Sequence, residues 1–267
     1  MEDLENSVVP SQRTGGGLPS LASSIGTEID ASVYNSRIVT LSNTILDRNH
    51  IVARRARDPS ADVFRILRTK VIQALNRGGH SSIAITSPGY GDGKTTIAVN
   101  LALSIALDVK KTVCLVDVDF RHPSVHRALG IEPTVGLGDY LVHGTPIADC
   151  LIRPSFDRIV VLPIARPLDN SSETLGIPQM AILTEELKDR YPDRLIIYDL
   201  PPLLTQDDTI SFLPHVDTAL LVVREGFTSR RDILRATTLL SDVNVIGTVL
   251  NHSDEINPEA PVRRVDL

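Results

Sequence analysis

The sequence predicts an α/β fold, a doubly wound, mostly parallel sheet of about seven or eight strands with helices on both faces. Three observations carry that prediction. Short, near-continuous β-branched runs recur along the chain and alternate with stretches of helical periodicity, the pattern of a parallel sheet buried on both faces. A glycine-rich turn links the run at 82–86 to a helical stretch. Aspartates close the runs at 112–118 and 194–199, and ligands of such sheets bind beyond the carboxyl ends of the strands.

The elements follow in order. Residues 1–50 carry Gly15-Gly16-Gly17, many Ser and Thr residues and no sustained periodicity, and read as a flexible leader. The folded domain is expected over 51–255, with 256–267 as a C-terminal tail. Asp58-Pro59-Ser60 opens a helix, since Pro is tolerated in the first turn. Phe64, Leu67, Val71 and Ala74 then recur at helical spacing until Asn76-Arg77-Gly78-Gly79 ends it, giving a helix over 59–77. Strands are expected at 82–86, 112–118, 159–162, 194–199, 218–223 and 245–250. Helices are expected at 95–107, 123–129, 180–190 and 229–240. There is no internal repeat.

Composition narrows the function classes. Hydrophobic content of 42% and charged content of 22% are ordinary for a soluble globular protein. The formal charge of −6 argues against a general nucleic-acid binder, and 4% aromatics with no Trp argues against a base-stacking platform. Cys114 and Cys150 form no CxxC pair, which points away from disulfide and zinc scaffolds and toward a reducing cytosol. The acidic start Met1-Glu2-Asp3-Leu4-Glu5 has no apolar stretch after it, so no secretory signal is expected. The most apolar stretch, 97–109, is interrupted by Asn100, Ser104 and Asp108 and falls short of the ~20 residues of a membrane span. The expectation is a cytoplasmic protein that meets the membrane only through a partner.

Ser87-Pro88-Gly89-Tyr90-Gly91-Asp92-Gly93-Lys94-Thr95-Thr96 is a phosphate cradle in the right context of strand, loop and helix. Glycines let successive N–H groups face the phosphates, and the helix N-terminus adds the positive end of its dipole. Lys94 is expected to reach the β- and γ-phosphates of ATP, and the Thr95 hydroxyl to ligate Mg²⁺. Pro88 stands where the strict pattern has Gly; Gly89, Gly91 and Gly93 supply the freedom. The candidate nucleotide-binding run is Gly89 through Thr96.

Leu115-Val116-Asp117-Val118-Asp119-Phe120-Arg121 puts two carboxylates at one strand end, and Ile196-Ile197-Tyr198-Asp199-Leu200-Pro201-Pro202 puts one at another. Mg²⁺ on a nucleotide prefers oxygen ligands and keeps several waters, so one or two nearby carboxylates suffice. Lys94, Asp117, Asp119 and Asp199 are the candidate catalytic residues. Thr95, Asp117 and Asp199 are the candidate metal-site residues, with Asp117 or Asp119 as base. The alternative is that these aspartates cap turns, with Arg121 a structural partner of Asp119. His122 and His126, four apart, lack a third ligand for a metal site.

Together these residues resemble the bacterial tyrosine kinase family, P-loop ATPases of capsule and exopolysaccharide synthesis. The motifs that carry the resemblance are Gly91-Asp92-Gly93-Lys94-Thr95-Thr96, Asp117-Val118-Asp119-Phe120-Arg121 and Asp199-Leu200-Pro201-Pro202. Asp62-Val63-Phe64-Arg65-Ile66-Leu67-Arg68 looks like the family's Glu-x-x-Arg-x-x-Arg helix, with Asp for Glu. That implies Asp62, Arg65 and Arg68 in self-association into a ring or other oligomer. Val222-Val223-Arg224 and Val249-Leu250-Asn251 match strand ends that approach the nucleotide base, which implies Arg224 and Asn251 in cofactor binding. The resemblance further implies a Mg·ATP-dependent, non-specific protein-tyrosine kinase at the inner membrane, working with a separate transmembrane chain-length regulator. The family's tyrosine-rich tail is missing: no tyrosine follows Tyr198 among the five at 34, 90, 140, 191 and 198. Two alternatives stay open, a partition or septum-site positioning ATPase and a nucleotide-gated scaffold without kinase activity. Ser87-Pro88-Gly89 lacks the early loop lysine of many positioning ATPases.

Overall fold

The computed structural model describes residues 37–108, 110–169, 171–189 and 193–253. Within them, eight strands form one sheet: β1 (Arg37–Val39), β2 (Ser82–Thr86), β3 (Thr112–Asp117), β4 (Ile152–Pro154), β5 (Ile159–Leu162), β6 (Arg194–Asp199), β7 (Thr218–Arg224) and β8 (Val245–Asn251). Their order is β1-β4-β5-β3-β6-β2-β7-β8, and every pairing is parallel except β4 with β5. The sheet is therefore parallel through its centre, with two strands running the other way at one edge.

Alternation along each strand builds two cores. Ala84, Cys114, Val116, Ile196 and Tyr198 point to one face, while Ile83, Ile85, Val113, Leu115, Leu195 and Ile197 point to the other. All residues of β2 and β6 are buried, which is why the central strands read as unbroken apolar runs. In chain order the helices are α1 (Asn43–Arg48), α2 (Pro59–Gly78), α3 (Lys94–Ala106), α4 (Val125–Leu129), α5 (Leu137–His143), α6 (Ile147–Cys150), α7 (Ser171–Leu175), α8 (Pro178–Asp189), α9 (Asp208–Phe212) and α10 (Arg230–Leu239). Helix α3 is buried from Ile97 to Ala106, so it is apolar on nearly all sides.

Helix α2 starts and stops for the reasons read from its sequence. The Asp58 side chain accepts from Ser60 N at 2.9 Å, Pro59 occupies the first turn, and Gly79 ends the helix at φ 66°. The leader boundary expected at residue 50 needs correction. Residues 37–50 hold β1 and α1, with Leu41 and Leu46 buried. The Asn49 amide fastens this segment by donating to the carbonyls of Arg127 and Ala128 at 3.0 and 3.1 Å. Residues 1–36 and the tail at 256–267 lie outside the described residues.

Buried Asn100 joins the following segment to α3. Its Oδ1 accepts from Val52 N and Ala53 N at 2.8 and 2.9 Å, and its Nδ2 donates to His50 O and Thr96 O at 3.0 and 2.9 Å. Every polar atom of the amide is used, as a buried polar side chain requires. Among the described residues, no helix is long and apolar enough to cross a membrane.

Candidate functional site

The site lies beyond the carboxyl ends of β2, β3, β6, β7 and β8. Strand register places its carboxylates: Asp117 and Asp199 are direct partners across the β3–β6 pair. Side-by-side residues on parallel strands point to the same face, so both aspartates turn toward the helix that begins at Lys94.

The loop between β2 and α3 is shaped by Gly91 at φ 82° and Gly93 at φ 94°, both left-handed conformations that favour glycine. Gly93 is constrained twice, because a Cβ there would stand 2.0 Å from Asn251 Nδ2. The loop is braced from outside. Asp92 is buried, and its carboxylate accepts from Gly89 N at 3.0 Å and from the Thr228 hydroxyl at 2.7 Å. Its carbonyl accepts from Asn251 Nδ2 at 2.9 Å. Thr228 Oγ1 also accepts from Arg224 N at 2.7 Å, and Arg224 Nη1 reaches Gly91 O at 3.4 Å. The Asp92 side chain is thus a brace for the loop. Arg224 and Asn251, far away in sequence, both reach the carbonyl groups of this loop.

Lys94 Nζ donates to Asp119 Oδ2 at 3.2 Å, and both side chains are nearly buried. Burial opposes the ammonium, yet Asp199, Asp119 and Asp117 together outweigh it and hold its pKa above the ordinary value. The Thr95 hydroxyl donates to Asp199 Oδ2 at 2.6 Å and lies 2.7 Å from Ser124 Oγ. Asp117 Oδ2 accepts from Ser124 N and Val125 N, each at 2.9 Å, and Oδ1 accepts from Asp119 N at 3.2 Å. Burial and then the neighbouring Asp199 push Asp117 up to about 8, against those N–H donors. Burial likewise pushes Asp199 up to about 6, with Lys94 and Thr95 pulling it back. Thr96 sits in the first turn of α3, its carbonyl committed to Asn100.

These residues fit a Mg²⁺-nucleotide. Asp199 Oδ1 is buried with no hydrogen-bond partner, an oxygen left for a cation or its water. Among the described residues no cluster of three or more His, Cys, Asp or Glu could hold a metal ion. A nucleotide-bound Mg²⁺ takes one or two protein oxygens and fills its shell with phosphate and water. Lys94, the loop N–H groups and the α3 N-terminus would hold the phosphates, while Thr95, Asp199 and Asp117 would face the metal. Held there, Mg²⁺ would supply charge neutralisation to the phosphates.

Three features were not readable beforehand. Arg121 does not pair with Asp119: its Nε donates to Ser171 Oγ at 3.0 Å, and its Nη2 lies 3.6 Å from buried Asp208. Ser124 and Thr228 join the site through contacts that span 29 and 136 residues, with no local signal to announce them. The expected self-association arginines act largely within the chain. Arg65 pairs with Asp62 and donates to Arg55 O at 3.0 Å, and Arg68 donates to Ser104 O at 2.9 Å.

A fold and site of this kind define a P-loop nucleotide-binding domain, and the chain belongs to the CobQ/CobB/MinD/ParA nucleotide binding domain family, whose model matches residues 83–260. Among curated proteins it is similar to the tyrosine-protein kinase YwqD of Bacillus subtilis (strain 168), 29% identical over 208 residues, 77% of this chain and 86% of that one. It is 30% identical over 222 residues to the putative tyrosine-protein kinase EpsB of Ralstonia solanacearum, covering 81% of this chain but spanning only 29% of EpsB. Among solved structures it resembles the kinase domain of the Escherichia coli tyrosine kinase ETK, with TM-score 0.69, 25% identity and coverage of 78% and 82% of the two chains. The cell division ATPase MinD of Pyrococcus furiosus aligns with TM-score 0.56 and 30% identity over 68% and 77% of the two chains. Identity and shape rank the last two oppositely. Shape over the larger shared span is the better guide to architecture, since the identities differ by a few residues in a hundred.

Proposed function

We propose that this chain is a Mg·ATP-dependent, protein-tyrosine kinase-like ATPase that regulates polymerisation and export of an exopolysaccharide, together with a transmembrane chain-length regulator on a separate chain. The observation that carries the reading is the buried unit of Lys94, Asp119, Asp117, Asp199 and Thr95 gathered at the phosphate loop. Lys94 offsets charge on the transferring phosphoryl group, Thr95 and Asp199 orient the metal, and Asp117 or Asp119 takes the proton of the attacking hydroxyl. The kinase names of the similar proteins and the Asp-x-Asp-x-Arg segment support phosphotransfer over simple positioning. The likeness to the cell division ATPase MinD favours, as a second reading, a positioning ATPase of the partition or septum-site kind.

The test is incubation with Mg²⁺ and γ-labelled ATP, following released phosphate and protein-bound phosphotyrosine, with Lys94→Ala as control. Both signals are expected to drop at least a hundredfold in the variant, about 3 kcal/mol of transition-state stabilisation. Activity retained by Lys94→Ala would sink the assignment. Phosphate release without phosphotyrosine on any protein would favour the positioning ATPase or a nucleotide-gated scaffold.

Self-association through α2 belongs to the same proposal. Val63 and Ile66 are exposed on that helix beside Asp62, an apolar strip suited to a neighbouring copy. Because Arg65 and Arg68 also tie α2 to its own chain, Arg65→Ala/Arg68→Ala is expected to lower stability as well as assembly. Sedimentation with ATP present reads the second effect; unchanged assemblies in a folded variant count against the helix.

A further inference from the structure

The tyrosines differ sharply in their surroundings. Tyr198 is fully buried, edge-on to Phe212 with ring centroids 4.9 Å apart. Tyr140 packs against the core, and Tyr34 and Tyr191 lie outside the described residues. Tyr90 is 43% exposed on the phosphate loop, four positions before Lys94. Its hydroxyl lies 3.2 Å from Nδ1 of His122, and the two rings meet edge to face with centroids 5.1 Å apart. His122 is anchored in turn, its backbone N–H donating to Asp119 Oδ1 at 3.0 Å.

A phenol is a weak nucleophile near neutral pH because its proton leaves only at about pH 10. An imidazole nitrogen within hydrogen-bond reach supplies the acceptor for that proton. In a phosphate loop the backbone N–H groups turn inward to the nucleotide, and here the Tyr90 side chain stands out in solvent. That exposure leaves its hydroxyl accessible to a second molecule.

We propose that Tyr90 is a phosphorylation site, modified by a second copy of this chain, with His122 as the local proton acceptor. The inference rests on the kinase reading above and names its substrate. Tyr90 Oη attacks the γ-phosphorus of ATP held by the other copy. The Oη–P bond forms, the bond from the γ-phosphorus to the β–γ bridging oxygen breaks, and ADP leaves with that electron pair. The phenolic proton passes to His122 Nδ1 of its own chain, which at this tyrosine takes the place of Asp117 or Asp119 of the other copy as acceptor. The product carries a charge of about −1.5 to −2 on the loop that must hold ATP. Phosphorylation here would weaken nucleotide binding by like-charge repulsion, so the modification limits itself.

The experiment mixes tagged Lys94→Ala chain with untagged wild type, Mg²⁺, ATP and a random Glu/Tyr polymer, and maps phosphate by tandem mass spectrometry. The expected result is phosphate on Tyr90 of the tagged chain, slowed about tenfold or more when the tagged chain also carries His122→Ala. Tyr90 is read on the wild-type copy as well, so the outcome does not depend on the variant folding. A labelled polymer with Tyr90 unmodified on both chains overturns this inference and leaves the kinase reading intact. ATP hydrolysis with polymer and both chains unlabelled overturns the kinase reading, and this inference with it.

Discussion

Replacing Lys94 with Met asks whether the site behaves as one electrostatic unit. The substitution keeps an apolar stem and removes the cation 3.2 Å from Asp119 that faces the three buried carboxylates. Lys94 has a raised pKa in the fold, so its stabilisation is complete below the unfolded value of ~10.4 and is lost only as pH rises through the higher folded value. Between about pH 6 and pH 8 its own contribution is therefore constant. Asp117 and Asp199 titrate inside that window. Asp199 is pushed up to about 6 by burial, with Lys94 the largest influence pulling it down, so in Lys94→Met it rises further. Wherever native Asp199 holds a proton that the unfolded chain has released, stability falls with pH by about 1.4 kcal/mol per unit. Wild type has passed most of that fall by about pH 6, whereas the variant is still descending toward pH 8. The gap between them should widen as pH rises across the window, by at most about 1.4 kcal/mol per pH unit. Urea unfolding of both proteins in EDTA, at about pH 6 and about pH 8, measures it. A gap of constant size would show that Lys94 and Asp199 do not share a field, and the account of the site would fail.

Other consequences can be checked separately. Gly93→Ala places a methyl group 2.0 Å from Asn251 Nδ2 at φ 94°, so fluorescent ATP-analogue binding should weaken about tenfold or more. Asn251→Ala in that background should recover part of the loss by removing the clash; a Gly93→Ala protein that binds like wild type contradicts the loop geometry. Asn100→Leu strands the buried N–H of Ala53 and the half-buried N–H of Val52, each costing about 1–3 kcal/mol. Urea unfolding should then show a loss of about 2–6 kcal/mol at an unchanged slope, and a loss below about 0.5 kcal/mol would mean the segment at 50–53 finds other partners.

The sequence made the centre of the molecule legible for a physical reason. Strands buried on both faces have apolar interiors, and β2, β3 and β6 announce themselves by those runs. The phosphate loop is equally plain, because left-handed backbone at Gly91 and Gly93 demands glycine. Residues 37–50 were harder. Leu41 and Leu46 are too few and too irregularly spaced to show a period, and they are buried only because the segment lies against α4 and β4. The roles of Arg121, Arg65 and Arg68 were also hidden, since an arginine motif in one dimension does not say which carbonyl or carboxylate the fold will bring to it. Tyr90 was visible as a member of the loop, but its pairing with His122 depended on the path of the chain after β3.

The side-by-side placement of Asp117 and Asp199 has a consequence for assembly of the molecule. Connecting loops can lengthen or shorten without disturbing this pair, but β3 and β6 cannot slip past each other by one residue. Such a slip would turn one carboxylate to the opposite face of the sheet and bury it against hydrocarbon. The site is thus encoded in strand pairing more than in its loops, and it comes into being when the central sheet closes in register. A Mg·ATP titration followed during refolding would therefore report on the sheet itself: the capacity to bind should appear with correct β3–β6 pairing and not before.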